Sequence, residues 1–196
     1  MQKEIESKFF INKKETIRNK LNEIGLKMLS PELLFKRKAF CKIGEEKSGE
    51  YWRIRDEGNK ITMTYKNIKT NTINGVDEIN LSINDFKSGC EMLLSFGLKC
   101  KSYQETYREI WGNDEVEIVI DEWPYLQPYI EIEAENEEIV KKYSKSLGFD
   151  FEKEAYFGGV DVLYAQQYGY PQEDINVIPI FTFDNEELKK ELNKYK

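Results

Sequence analysis

The chain has 196 residues, of which 40% are hydrophobic and 33% charged, and its formal net charge is −7. This composition predicts one globular domain with a core of its own, and the acidic balance argues against nucleic-acid binding as the main function. Because histidine is absent, the sequence excludes Ser-His-Asp catalysis, Cys-His catalysis and histidine-bound zinc. Cys41, Cys90 and Cys100 lack C-x-x-C spacing, so they indicate neither a disulfide framework nor a zinc site.

The first residues, MQKEIESKFF, form neither an apolar signal region nor an Arg/Ser-rich transit peptide. No window approaches the ~20 apolar residues that a membrane-spanning helix needs. We therefore expect a soluble cytoplasmic protein without a membrane partner.

The predicted elements begin with a strand–helix unit that occurs three times. EIESKFFINKKETIRNKLNEIGLK reads as a strand, a polar break and an amphipathic helix that stops at Gly25. The same plan predicts helices that stop at Gly97 and Gly148, because glycine suits the left-handed position after a helix. Between these units, further strands are predicted in LLFKRKAF, YWRIRDE, KITMTYK, YQETYREIW and VEIVIDEW, with hairpin turns in DEGNK and WGND.

The residues after Pro171 are less regular and predict an appended element. They contain the apolar stretch VIPIFTF and then a helix whose capping box is Asp184 with Glu187. The sequence thus predicts a main domain over residues 1–170 and a C-terminal extension over 171–196 that packs on it.

Alternation along the strands places charged residues on one face and apolar residues on the other. In the first strand, for example, Glu4, Glu6 and Lys8 share a face, and Ile5 and Phe9 lie behind it. Acids and bases share this face in strand after strand: Glu4, Glu6, Glu78, Glu131, Glu133, Lys8, Arg53, Arg55, Lys66 and Arg108. One alternative is an open sheet whose charged face is wet. The prediction is an α+β fold, mainly β: a closed eight-stranded antiparallel β-barrel with the charges inside and the helices packed outside.

A charged interior is expected to hold a highly charged ligand together with cations. Guanidinium groups pair well with phosphate, and a metal held by this chain must use oxygen ligands, which favours Mg²⁺, Mn²⁺ or Ca²⁺. The bases expected to bind such a ligand are Lys8, Arg53, Arg55, Lys66 and Arg108. The predicted metal ligands are Glu4, Glu6, Glu78, Glu131 and Glu133.

The same residues, in order, resemble the CYTH superfamily of triphosphate tunnel metalloenzymes. The resemblance starts at the E-x-E-x-K signature in EIESK and continues through RIR, TYK, DEI, YREIW, VIDEWP and YIEIEA, over residues 1 to about 168. It implies an eight-stranded tunnel that binds triphosphate with divalent metals, as in class IV adenylyl cyclases and in thiamine, inorganic and RNA triphosphatases. It also suggests the catalytic residues Glu6, Lys8, Asp121 and Glu133.

Two positions depart from the pattern of many members. Asn80 stands where a second Glu is common, and Thr106 stands where a Lys is common two residues before Arg108. The first loses a carboxylate and the second loses a cation, which bears on the substrate more than on the fold.

These features lead to a metal-dependent phosphohydrolase acting on an inorganic, thiamine or nucleoside triphosphate. The alternatives are a class IV adenylyl cyclase that converts ATP to cyclic AMP and pyrophosphate, and a non-catalytic polyphosphate- or nucleotide-binding module. The expected partner is a small-molecule triphosphate. The oligomeric state stays open, with a homodimer among the options.

Overall fold

The computed structural model describes the backbone of residues 2–195 and the side chains of residues 5–195. Its strands are β1 (Gln2–Glu4), β2 (Glu6–Phe10), β3 (Lys27–Cys41), β4 (Glu50–Asp56), β5 (Ile61–Ile68), β6 (Val76–Ile83), β7 (Lys99–Gly112), β8 (Val116–Glu122), β9 (Tyr129–Ala134) and β10 (Ile180–Phe181). Its helices are α1 (Lys14–Glu23), α2 (Phe86–Ser95), α3 (Glu137–Leu147), α4 (Phe151–Glu154), α5 (Asp161–Tyr168), α6 (Gln172–Ile175) and α7 (Glu186–Leu192), followed by a 3₁₀ turn at Asn193–Tyr195.

The strands pair in the order β1-β6-β5-β4-β3-β7-β8-β9-β2. Because only Ile5 separates β1 from β2, these two are halves of one N-terminal strand that pairs on both sides. Its first half lies antiparallel to β6 and its second half lies antiparallel to β9. The ring of pairings is therefore complete, and the predicted eight-stranded antiparallel barrel is confirmed. The short β10 is an addition that the sequence pattern did not predict, and it pairs with β7 in parallel.

The longest pairing joins β3 to β7 and extends well beyond the predicted LLFKRKAF. Its register shifts between Met28 and Ser30, between Ser30 and Leu33, and between Ala39 and Phe40. Pro31 lies within the second irregularity, where a residue without a backbone N–H interrupts the ladder least. Irregularities of this kind are common where a sheet curves into a barrel.

The longer helices cover the apolar outer faces of the strands. Helices α1 and α3 pack against β2, β8 and β9, where Phe9, Ile118 and Ile130 are fully buried. Helix α2 packs over Phe40 and Ile54 on β3 and β4. The predicted stops at Gly25, Gly97 and Gly148 are confirmed, since these glycines have φ values of +79°, +82° and +87°. Within the described range, each helix is too short or too polar to cross a membrane; the cytoplasmic location stays a prediction.

The C-terminal residues pack on the barrel through an aromatic cluster. Leu188 and Leu192 of α7 and Phe181 of β10 are buried there with Trp123 and Tyr164. This packing agrees with an extension that folds onto the main domain, although the exact division at residue 170 stays a prediction.

The predicted capping box of the last helix is wrong. The N-cap is Asn185, whose Oδ1 accepts hydrogen bonds from the backbone N–H groups of Glu187 and Leu188. Asp184 instead accepts a hydrogen bond from the Thr182 hydroxyl at 2.7 Å. A turn closed by the Asn185 N–H on the Thr182 carbonyl starts the helix one residue later than the pattern indicated.

One buried carboxylate ties helix α1 to the barrel. Glu109 on β7 is 1% exposed, and its Oε2 accepts from Arg18 Nη2 at 2.7 Å. Its Oε1 accepts from Trp111 Nε1 at 2.6 Å. The barrel wall therefore uses a charged hydrogen-bond network on its outer side as well as inside.

Replacing Glu109 by Gln should lower the free energy of unfolding by about 1–3 kcal/mol, because two buried hydrogen bonds to a charged acceptor are weakened. Denaturant unfolding measures this difference. The matched control is Glu91→Gln on the exposed side of α2, which should stay within about 0.5 kcal/mol of the wild type. Equal stability of the two variants would contradict the role assigned to Glu109.

Candidate active site inside the barrel

The inward faces of the strands enclose a cavity of about 420 Å³. The structure brings most of the predicted site residues to its lining: Glu6, Lys8, Arg53, Arg55, Lys66, Glu78, Arg108, Glu131 and Glu133. The apolar partners of the alternation, such as Ile54 and Ile130, face the helices instead. The Glu4 side chain lies outside the described residues, and Asp121 lies behind the lining.

Glu6, Lys8 and Glu131 form a group where β2 pairs with β9, with Glu6 and Lys8 buried and Glu131 partly exposed. Lys8 Nζ lies 2.5 Å from Glu6 Oε1 and 3.5 Å from Glu131 Oε1. Burial opposes the charged form of Lys8, but the carboxylates of Glu131 and Glu6 outweigh it and raise the pKa of this lysine. Burial and the nearby charge of Glu131 raise the pKa of Glu6. Two carboxylates held this close need a cation or a proton between them.

Arg53 and Arg55 project from β4 into the same space. Arg55 donates to Glu57 Oε1 from Nε at 2.9 Å and from Nη2 at 2.7 Å. Burial, followed by repulsion from Arg53 and Arg108, lowers the pKa of Arg55 to about 9. Arg53 donates from Nη2 to Thr64 at 3.2 Å, while its buried Nε has no hydrogen-bond partner among the described residues. The positive charges of Arg53 and Arg55 are therefore only partly neutralised by neighbouring groups.

Asn80 supports Arg53 through an intermediate hydroxyl. The Thr64 hydroxyl accepts from Arg53 and donates to Asn80 Oδ1 at 3.0 Å. On the next pair of the same two strands, Lys66 Nζ lies 2.9 Å from Glu78 Oε2. The Asn80 amide thus completes a hydrogen-bond chain of neutral groups that starts at the Arg53 guanidinium.

Asp121 is fully buried and holds Arg108. Its Oδ1 accepts from Arg108 Nε at 2.9 Å, and its Oδ2 accepts from Arg108 Nη2 and from the Tyr129 hydroxyl. Arg108 Nη2 also donates to Glu131 Oε2 at 3.1 Å. Burial opposes the charge on Arg108, but Asp121 outweighs it and raises the pKa of the guanidinium. In this position Asp121 orients the guanidinium of Arg108 on the cavity wall. A catalytic role for Asp121 stays a prediction.

The carboxylates suit a hard divalent cation, although they do not form a complete ligand set. Within the described side chains, no group of three or more Asp or Glu residues lies close enough to hold a metal ion. Mg²⁺ typically takes one or two protein carboxylates and completes its coordination with phosphate oxygens and water. Glu6 and Glu131 fit that mode, since two carboxylates that contact the same lysine, one of them buried, are the kind of pair a cation stabilises.

A comparison with models of protein families shows which family the chain belongs to. The model of the CYTH domain matches residues 2–157. The chain belongs to the CYTH domain family. This confirms the resemblance drawn from the sequence motifs. A comparison with curated proteins found no match.

Solved structures share the CYTH fold with this chain at low sequence identity. PH1012 from Pyrococcus horikoshii is 22% identical with a TM-score of 0.66, covering 77% of this chain and 93% of that one. HpAC1 from Hippeastrum, a candidate adenylyl cyclase described as having a dominant triphosphatase activity, is 17% identical with a TM-score of 0.57, covering 87% and 99%. A candidate adenylate cyclase from Vibrio parahaemolyticus is 15% identical with a TM-score of 0.61, covering 74% and 84%. Identities this low show the fold alone.

The sequence reasoning missed several residues of the cavity wall in this CYTH protein. Arg37, Tyr51, Lys101 and Gln104 also line the cavity, and so do residues beyond the CYTH match: Gly158, Gly159, Val160, Asp161 and Asn176. Asp161 accepts from the side-chain amides of Gln172 at 2.7 Å and Asn176 at 3.3 Å. Arg37 could have been found from its phase with Phe35 and Ala39, but the run Lys36-Arg37-Lys38 hides the alternation.

Replacing Asp121 by Asn should lower the free energy of unfolding by about 3 kcal/mol or more, because Arg108 would lose the charge that compensates its burial. The midpoint of chemical unfolding reports this loss. Asp114→Asn in the exposed turn between β7 and β8 is the matched control and should change little. A midpoint for Asp121→Asn equal to that of the control would show that Arg108 does not depend on this carboxylate.

Proposed function

We propose that this CYTH protein is a metal-dependent phosphohydrolase that binds a triphosphate in the barrel cavity and hydrolyses its terminal phosphoanhydride bond. The observation that carries the proposal is the cluster of buried arginines on the cavity wall. Burial and the mutual repulsion of its members lower the pKa of Arg55, and the buried Nε of Arg53 has no hydrogen-bond partner in the part of the chain that the structure describes. A polyanion between these groups would relieve the repulsion and satisfy the free donor.

The number and type of the cations suit a triphosphate. Such a chain carries about four negative charges at neutral pH, and planar guanidinium forks bind phosphate oxygens in pairs. Arg53, Arg55 and Arg108 supply three guanidinium groups around one cavity, and Lys8 and Lys66 add point charges. Because each of these side chains is held by hydrogen bonds or ion pairs, the phosphates would be positioned with little further ordering.

Enzymes of the CYTH family generally depend on divalent metal ions. Mg²⁺ or Mn²⁺ would be held by Glu6 and Glu131, together with Glu133, Glu78 and the predicted Glu4. When bound, the cation neutralises phosphate charge and polarises a phosphoryl oxygen.

The remaining chemistry is positioning and proton handling by the chain itself. Arg53, Arg55 and Arg108 bind phosphate oxygens and stabilise the charge that develops on the leaving group. Lys8, kept protonated by Glu6 and Glu131, holds one phosphate at the β2 side of the cavity. Glu133, directly across from Glu6 in the β2–β9 pairing, orients the attacking water and accepts its proton.

Formation of cyclic AMP is the alternative reaction of the same site. It would need the ribose 3′-hydroxyl of ATP to attack the α-phosphate in place of water. Two proteins of this fold are described as candidate adenylyl or adenylate cyclases, and for HpAC1 the dominant activity is described as triphosphatase. Hydrolysis is accordingly proposed first.

Product analysis by chromatography tests the proposal. The purified protein is incubated with Mg²⁺ or Mn²⁺ and, separately, with tripolyphosphate, thiamine triphosphate and ATP. Phosphate release supports the hydrolase and identifies the organic part of the substrate. Cyclic AMP with pyrophosphate would replace it by the cyclase, and tight binding without any product would leave a non-catalytic binding module.

Replacing Glu6 by Gln should lower metal-dependent turnover by about 100-fold or more, because a charged ligand in a preorganised site is lost. Initial rates at saturating metal measure this, and circular dichroism checks the fold. Glu91→Gln on the outer helix α2 should keep full activity. Full activity of the Glu6 variant would contradict the proposed metal site.

A further inference from the structure

Arg37 occupies an unexpected place on the cavity wall. It lies on β3, is 7% exposed and pairs across the strands with Arg55 on β4. On the other side of β3 it pairs with Gln104 of β7. Its sequence neighbours Lys36 and Lys38 are more exposed, as expected for the opposite face of the strand.

Two donors of the Arg37 guanidinium are without an acceptor among the described residues: neither its buried Nε nor its buried Nη2 has a hydrogen-bond partner there. The guanidinium instead lies over the ring of Trp123, 4.1 Å from the centroid. The buried Nε1 of Trp123 and the buried Nε of Arg53 are also without a partner among these residues. Buried polar atoms are rarely left unsatisfied, so four such donors on three lining residues require an acceptor.

The pairing of cations with carboxylates in the cavity also distinguishes Arg37 and Arg53 from most of the other bases. Lys8, Lys66, Arg55 and Arg108 each have a carboxylate within salt-bridge distance: Glu6, Glu78, Glu57 and Asp121 respectively. Within residues 5–195, Arg37 and Arg53 have no such partner. Burial, and then repulsion from Arg53 and Arg108, lowers the pKa of Arg37 to about 10. The excess positive charge of the cavity is therefore concentrated at Arg37 and Arg53.

We propose that Arg37 and Arg53 together form the subsite for one phosphate group, with Trp123 holding the Arg37 guanidinium in place. This inference rests on the proposed function and adds Arg37 as a phosphate-binding residue. An oxyanion between the two guanidiniums accepts hydrogen bonds from their free nitrogens and removes their repulsion. Arg37 is also a diagonal neighbour of Thr106, the position at which a cation is missing from the sequence pattern.

Calorimetric binding of imidotriphosphate, a hydrolysis-resistant triphosphate analogue, in the presence of Mg²⁺ tests the subsite. Arg37→Met and Arg53→Met should each weaken binding by about ten- to a hundredfold, because charge-assisted hydrogen bonds to phosphate are lost. Arg37→Lys should recover part of the loss, since it keeps the charge without the fork. Lys36→Met, one residue away on the outer face of the same strand, should bind like the wild type.

Thermal unfolding of the ligand-free variants separates binding from a structural role. Arg37→Met should be at least as stable as the wild type, because it removes a buried cation without a counter-charge. A lower melting temperature together with wild-type affinity would overturn the inference and leave Arg37 as a packing partner of Trp123. Unchanged affinity for Arg37→Met with weak binding by Arg53→Met would overturn it while the proposed function stands. Failure of the wild type to bind the analogue would remove both.

Discussion

The cost of burying charged side chains governs this structure. A barrel of this size normally fills its interior with apolar groups, whereas here the inward positions carry glutamates, lysines and arginines around a cavity. Isolated charges in such a place would be expensive, so each has to be paired, hydrogen-bonded or compensated by a ligand. The apolar residues are displaced to the outer faces, which explains why the longer helices lie outside the barrel.

The way in which the charges are compensated divides the cavity into two parts. Where β2 meets β9, carboxylates outnumber the ammonium group they contact, as Glu6, Lys8 and Glu131 illustrate. Where β3 meets β4, arginines face arginines, and hydrogen-bond donors are left over. The first part is suited to a cation and the second to an anion. A metal-bound phosphate chain has both kinds of charge, and this complementarity is the physical basis of the proposed function.

The fold could be predicted from the sequence because two signals were strong. Period-two alternation in strands such as WRIRD determined which side chains face inward, and glycines with positive φ ended the three longer helices. The pairing of β10 with β7 was missed because it depends on a long-range contact. The N-cap of the last helix was missed for a local reason: Asp184 and Asn185 both suit an N-cap, and the turn closed at Thr182 selects Asn185.

The site was also predictable in part. Residues on strands with regular alternation were placed on one cavity by their phase alone. Arg37 was missed because flanking lysines obscure its phase. Its pairing with Arg55 on the adjacent strand β4 is visible only in the structure. Asp121 as the partner of Arg108 emerges only from the pairing of β7 with β8, whereas Glu57 lies two residues after Arg55 and in phase with it.

A crystal structure with imidotriphosphate and Mn²⁺ tests the central claim most directly, since the anomalous signal of manganese locates the metal independently of the phosphate chain. The account predicts phosphate oxygens within hydrogen-bond distance of Arg53 and Arg55 inside the barrel, with manganese on the side of Glu6 and Glu131. A phosphate chain bound only outside the barrel, with the arginine cluster left as it is without ligand, would contradict it.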